Sequence, residues 1–139
     1  MDASSNFQDS LPISSDTLLK QLDAWEIHYK RYDHVPLRTV KDSKEIQDMF
    51  LPTKKGGGHI KNLYLRDKKK RNVLFITEQD AEIDLKKLGN AIGFANLSFG
   101  SPERLMQKLG IRAGAVTPLS MINGVKNNVS LFLDSNLKN

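Results

Sequence analysis

Leu18, Leu22, Trp25 and Tyr29 fall three or four residues apart within SSDTLLKQLDAWEIHYKRY, the spacing that lines up one face of a helix. Ser14, Ser15 and Asp16 offer capping oxygens in front of them, so the pattern predicts a helix over 14–32. Pro36 then forces Val35 out of helical geometry and makes HVPLRTV an extended piece. In DSKEIQDMFLP, Ile46, Met49 and Phe50 share a face and Pro52 is a stop, which predicts a second, shorter helix.

The period then changes. Two runs at 60–66 and 73–77 read as strands joined by the polar turn DKKKRN. DLKKLGNAIG returns to helical spacing with Leu85, Leu88 and Ile92 inward. SPERLMQKLG is a punctuated helix, with Ser101 as cap, Pro102 at its first position and Gly110 at its end. AGAVTPLSMI and VSLFLD are expected to close the chain as a loop and strand pair about an Asn123-Gly124 turn, with Val129, Leu131 and Leu133 alternating toward one face. Strands interleaved with helices predict an α/β fold, a single-domain mixed β-sheet with surrounding helices. That domain is expected over 14–139, behind a loose polar tail at 1–13.

Composition narrows the chemistry. The 139 residues include no cysteine, which removes disulfides, thiolate nucleophiles and zinc–cysteine sites and fits a reducing cytoplasm. No apolar run approaches the ~18 residues of a membrane span, and the N-terminus is polar and acidic, unlike a signal peptide. No membrane association is therefore expected. Charge is concentrated: 54–71 holds eight basic residues (Lys54, Lys55, Lys61, Arg66, Lys68, Lys69, Lys70 and Arg71) against Asp67 alone. Taking those from the chain's 21 basic and 16 acidic residues leaves 13 against 15, a mildly acidic body with one basic patch. Such a patch suits a polyanion, through release of counterions condensed on phosphates, although a lysine-rich turn also serves simply to keep a domain soluble.

Familiar catalytic motifs are absent. Gly56–Gly58 precede a strand instead of opening a helix, and Lys61 is followed by asparagine, so neither a P-loop nor a dinucleotide fingerprint is present. NLSFG around Ser98 lacks the first glycine of a nucleophile elbow. His28, His34 and His59 have no metal-ligand spacing, and no metal or other cofactor is expected. Two features remain. Lys61 alternates onto the face of Leu63 and Leu65, where its stem packs while its ammonium either reaches water or lies at a pocket mouth; Asn62 adds a donor and an acceptor on the other face. GIRAGAVTPLSMING is a small-residue loop, freed by Gly110 and Gly114 and stiffened by Pro118; it is either a plain connection or a set of amides able to hold an oxyanion.

Taken in order, HVPLRTV, GGGHIKNLYLRDKKKRNVLF, LSFGSPERLMQKLGIRAGAVTPLSMING and VSLFLD resemble the YbaK/ProX family, freestanding relatives of the editing domain of bacterial prolyl-tRNA synthetase. The resemblance runs from about Ser15 onward, and Lys61-Asn62 in its K-N-L-Y-L context is similar to the ProX branch. It implies a trans-editing deacylase that hydrolyses alanine mischarged onto proline tRNA. It also implies mischarged tRNA as partner, with prolyl-tRNA synthetase as a second. By position it implies Lys61 at the terminal adenosine, Asn62 at the alanyl group and the loop Gly114, Ala115, Val116, Thr117 and Pro118 beside the scissile ester. Lys61, Gly114 and Thr117 are then the catalytic candidates, Leu37 and Thr39 lie near the aminoacyl pocket, and Lys54, Lys55, Arg66, Lys68, Lys69, Lys70 and Arg71 receive the tRNA. Family members continue past VSLFLD into a His-Pro-Leu-type motif, so this chain is expected to lack a C-terminal segment. The alternatives are a deacylase for cysteinyl-tRNA or another small mischarged residue, and a non-catalytic tRNA-binding module associated with a synthetase.

Overall fold

Two seven-residue strands, β1 (Ile60–Arg66) and β2 (Asn72–Glu78), pair antiparallel in continuous register from Ile60↔Glu78 to Arg66↔Asn72. They form the centre of a computed structural model that describes residues 14–34, 39–47 and 57–138. The chain falls into two compact units, Met1–Gly58 and His59–Asn139.

In the first unit, α1 (Ser15–Ala24) begins where the serines predict, with Ser14 Oγ accepting from Thr17 N at 3.1 Å. It ends well before 32. Glu26 takes φ +57°, its N–H donates to Asp23 O and that of Ile27 to Leu22 O, which together form a Schellman closure. Trp25 and Tyr29 are consequently 55% and 40% exposed instead of lining a buried face. Helical spacing persisted past the point where the backbone turned left-handed, and no glycine marked the stop. A glutamate at that position carries the steric cost of a Cβ near the carbonyl. Glu26→Gly is expected to stabilise α1 by ~0.5–1 kcal/mol, measurable as slower amide exchange across 22–27. The second helix, α2 (Val40–Ile46), opens with a capping box in which Thr39 Oγ1 accepts from Asp42 N and Asp42 Oδ2 from Thr39 N, both at 3.1 Å. The predicted Met49–Phe50–Pro52 end of this helix lies outside the described residues.

In the second unit the sheet has the order β3-β1-β2-β4. The unit adds α3 (Leu85–Ile92), α4 (Pro102–Leu109) and a short α5 (Met121–Gly124), with two single 3₁₀ turns at Pro118–Ser120 and Ser135–Lys138. Helices α3 and α4 fall within their predicted segments, and α4 has the expected Ser101 and Gly110 caps; α3 is closed in the same way by Asp84, which accepts its N-terminal amides, and by Gly93. β2 is buried along six of its seven residues, as a central strand covered on both faces must be. Val73 and Phe75 meet Leu65, Phe94 and Leu97 on one face, with α3. Leu74 and Ile76 meet Tyr64, Leu105, Leu109, Ile111 and Val129 on the other, with α4.

Two elements differ from expectation. β3 (Ser98–Phe99), too short for a periodic signal, pairs antiparallel with β1 at Leu65↔Phe99. At the other edge the expected terminal strand pair does not form. Thr117 caps a 3₁₀ turn that Pro118 opens, the chain continues into α5, and Asn123-Gly124 is helical instead of a turn. Gly124 packs closely there: a Cβ would lie 2.7 Å from Met121 Sδ and 3.0 Å from Leu109 Cδ2, so these side chains would have to shift. β4 (Val129–Leu133) therefore returns parallel to β2. Of its alternating face only Val129 is buried, while Leu131 and Leu133 are 40% and 59% exposed. The sheet is mixed, as expected of an α/β fold.

Candidate functional site

Strand alternation separates the two residues that drew attention in β1. Asn62 lies on the Tyr64 face, toward α4, and Lys61 on the Leu63 and Leu65 face, toward α3. They do not line one pocket from the same side of the sheet. Asn62 Nδ2 donates to Val116 O at 2.8 Å across 54 residues of sequence, tying the 111–118 loop to the strand. Its Oδ1 is buried and has no partner among the described residues. Lys61 Nζ donates instead to Ala81 O, in the connection between β2 and α3. That connection and the start of α3 line a groove of about 740 Å³ bounded by Glu82, Ile83, Asp84, Lys87, Leu88 and Ala91.

The loop itself is built from backbone. Ile111 is buried in the core and anchors one end, and Ala115 N donates to Arg112 O at 3.1 Å. At the other end Thr117 Oγ1 accepts from Leu119 N at 3.3 Å, and Thr117 O accepts from Ser120 N at 3.0 Å and Ser120 Oγ at 2.5 Å. The N–H groups of Ala113, Gly114, Val116 and Thr117 have no acceptor among the described residues, so they are among the loop's available donors; that of Ala115 is committed. Gly114 has φ +88° with nothing within 4 Å of a built Cβ. Gly114→Ala therefore tests backbone conformation with no steric clash. It is expected to destabilise the fold by ~1–2 kcal/mol, the cost of a Cβ at positive φ, read as a lower midpoint in urea unfolding.

The basic turn is more structured than its composition suggests. Asp67 is 3% exposed; its Oδ1 accepts from Arg71 N and its Oδ2 from Arg71 Nε, each at 2.7 Å. Burial pushes its carboxyl pKa up, but the hydrogen bonds and charge of Arg71, with the Lys69 amide, outweigh that and hold it below the usual aspartate value. Arg71 also donates to Gly93 O at 3.0 Å and stacks 4.0 Å over the Phe94 ring. Its guanidinium is paired at the surface of the fold, 45% exposed, so its charge is withdrawn from the free patch. Lys68, Lys69 and Lys70 remain exposed, and Arg66 is half-buried. Behind them Tyr64 OH donates to Asn72 Oδ1 at 2.6 Å; burial pushes this phenol up to about 12, against the opposing charges of Arg104 and Arg66.

Of the other candidates, Thr39 lies in the first unit as the cap of α2, while Leu37, Lys54 and Lys55 fall outside the described residues. Pro118 sits at the start of its 3₁₀ turn, next to the available amides. The Asp67–Arg71 pair and the bond from Thr77 Oγ1 to Asp134 Oδ2, 2.8 Å across 57 residues, were not foreseen. Only Arg71 carried a signal: an acid four residues from a base across a tight turn.

The arrangement defines an α/β domain in which a side-chain-tethered loop presents backbone donors near the start of β1, while the turn at the far end of that strand presents three free ammonium groups. Residues 34–139 match the aminoacyl-tRNA editing domain, and the chain belongs to that family, the YbaK/ProX family. It is 34% identical over 121 residues to the prolyl-tRNA editing protein ProX of Acetoanaerobium sticklandii, covering 86% of this chain and 71% of that protein. It is 33% identical over 108 residues to a human putative prolyl-tRNA synthetase associated domain-containing protein 1, covering 75% of this chain and 60% of that one. The zebrafish (Danio rerio) prolyl-tRNA synthetase associated domain-containing protein 1 is 36% identical over 77 residues, 55% of this chain and 42% of its own. The chain thus spans about three-fifths or less of the two animal relatives. Among the described residues no helix is long and apolar enough to cross a membrane.

Proposed function

We propose that this chain hydrolyses the ester of a mischarged aminoacyl-tRNA, with alanyl-tRNA(Pro) as substrate, in cytoplasmic proofreading of translation. Its family and the name of its bacterial relative support the reading. The observation that carries it is the Asn62–Val116 tether, which fixes a loop with free amides at Gly114, Val116 and Thr117. An aminoacyl ester is already activated, so catalysis requires alignment of a water and stabilisation of the oxyanion more than a side-chain nucleophile. The loop amides donate hydrogen bonds to the oxyanion as its negative charge develops. The buried, donor-free Asn62 Oδ1 suits the α-ammonium of the aminoacyl group. Lys61, on the opposite face of β1, spends one of its three N–H donors on Ala81 O and keeps two for a backbone phosphate of the acceptor end, away from the ester that Asn62 and the loop address. Prolyl-tRNA synthetase, which produces the mischarged tRNA, is the natural neighbour of such an activity.

Selectivity is steric in this reading. A methyl side chain enters a tight site that a proline ring does not, and exclusion by size outdoes the ~1–3 kcal/mol an apolar pocket gains per methylene. The test is discharge of alanyl-, prolyl- and cysteinyl-tRNA(Pro) by the wild-type chain and by Lys61→Ala. Selective release of alanine that falls at least tenfold in the variant is the expected result. Preferential release of cysteine would redirect the substrate assignment, and absence of all release would end the catalytic reading for this chain.

A further inference from the structure

Phe99 is the most exposed aromatic ring in the second unit, 66% accessible, and it stands on the outer edge strand β3 with no aromatic partner among the described residues. It is not isolated from the basic turn. Its Cα partner in the sheet is Leu65, Asp67 follows two residues later, and Lys68 N donates to Ala95 O at 3.0 Å, which ties the turn to the segment leading into β3. β1 ends at Arg66, one residue past the ring's partner, and the turn that carries Lys68, Lys69 and Lys70 follows directly. Ser98, on the opposite face of the same edge, pairs with Arg66. The acid nearest in sequence, Asp67, is buried and neutralised by Arg71, and Glu103 is followed directly by Arg104 in the first turn of α4. An exposed ring bordered by uncompensated lysines is poorly suited to a protein interface, where lysine is depleted. It is well suited to single-stranded nucleic acid, where bases stack on aromatic faces and phosphates follow cations.

We propose that the β3 edge is a stacking platform for unpaired RNA: Phe99 takes the face of one base at the single-stranded 3′ end, while Lys68, Lys69 and Lys70 hold the phosphates that flank it. The inference rests on the tRNA reading above and adds to it a named contact outside the hydrolytic loop. It divides affinity into two parts, a salt-dependent one from the turn and a ring-dependent one from β3.

The probe is an RNA hairpin ending in a four-nucleotide unpaired 3′ tail, compared with the same hairpin made blunt, by fluorescence anisotropy over a range of salt. Phe99→Ala is expected to weaken binding of the tailed hairpin about fivefold to a hundredfold, the range of one base–aromatic stack, and to leave the blunt hairpin unchanged. Phe99→Trp restores the tailed affinity and Phe99→Leu does not. Replacing Lys68, Lys69 and Lys70 together by alanine weakens both hairpins and flattens the salt dependence by about two to three counterions. Equal binding of the tailed hairpin by wild type and Phe99→Ala overturns the platform, as does full rescue by leucine, which would indicate an apolar contact without stacking. Discharge of alanyl-tRNA measured alongside separates the two ideas. Persisting hydrolysis with unaltered Phe99→Ala affinity sinks only the platform, whereas loss of RNA binding and hydrolysis by the wild type sinks both.

Discussion

Asn62→Ala is expected to lower the discharge of alanyl-tRNA about a hundredfold, within the ~10²–10³ lost when an oxyanion donor is removed, while the chain stays folded. The reason is the position of its single bond. Asn62 Nδ2 to Val116 O is the hydrogen bond that joins the middle of the 111–118 loop to the sheet, and Val116 lies between two of the available amides. Without it the loop is still anchored at Ile111 and at the Thr117-capped turn, so the fold loses no more than the ~1 kcal/mol of a typical hydrogen bond. The amides between those anchors lose their fixed direction, and preorganisation is what makes them catalytic. Asn62→Asp sharpens the test. A carboxylate cannot donate to Val116 O, so it should be at least as inactive, and an added ammonium-binding charge should not rescue it. Hydrolysis within threefold of wild type in Asn62→Ala, with unfolding unchanged, would show that the loop needs no tether.

The strength of this expectation depends on how the site was assembled from chemistry legible at different ranges. β1, β2, α3 and α4 were visible because their signals are local: alternation, caps, a proline at the first helical position and a glycine after the last. Those elements carry Asn62 and deliver the chain to the loop. What remained hidden is long-range or very short. The 54-residue reach from Asn62 to Val116 leaves no trace in spacing, and β3 has two residues, below any period. The alternation at Val129, Leu131 and Leu133 is real, but its burial is not, because β4 is an edge strand in parallel contact with β2. The final strand pair failed for a different reason. Pro118 reads as a stiff exit, and only the Thr117 cap converts it into the first residue of a coiled turn. Charge misled in one place, since a count of cations cannot tell that Arg71 is consumed by Asp67, Gly93 and the Phe94 ring.

That internal use of Arg71 makes Asp67 a polar residue whose loss should cost the second unit much of its stability. Asp67→Ala is expected to destabilise the protein by ~3 kcal/mol, the low end for removing one partner of a buried pair because Arg71 stays 45% exposed and can rehydrate. The loss is larger than that of a surface ion pair, worth ~0–1 kcal/mol, because the carboxylate also satisfies the Arg71 amide and closes the turn between the two central strands. The sign of the pH dependence follows from the lowered carboxyl pKa. A group more acidic when folded than when unfolded stabilises above its unfolded pKa of ~3.9, and that contribution fades as pH falls through the folded value. The stability gap between wild type and Asp67→Asn should therefore be constant from pH 7 down to about 5 and shrink below about 4, in urea unfolding at each pH. A gap that stays level down to pH 2 would show that the carboxylate contributes through shape and hydrogen-bond count, not charge. The same variant bears on RNA binding. With the Asp67 charge removed, the Arg71 charge beside Lys68, Lys69 and Lys70 is no longer neutralised, so a folded Asp67→Asn at neutral pH should bind RNA more tightly and with a steeper salt dependence than wild type. A protein that loses stability and gains affinity by one substitution would locate the division between the part of this turn that holds the sheet and the part that meets the tRNA.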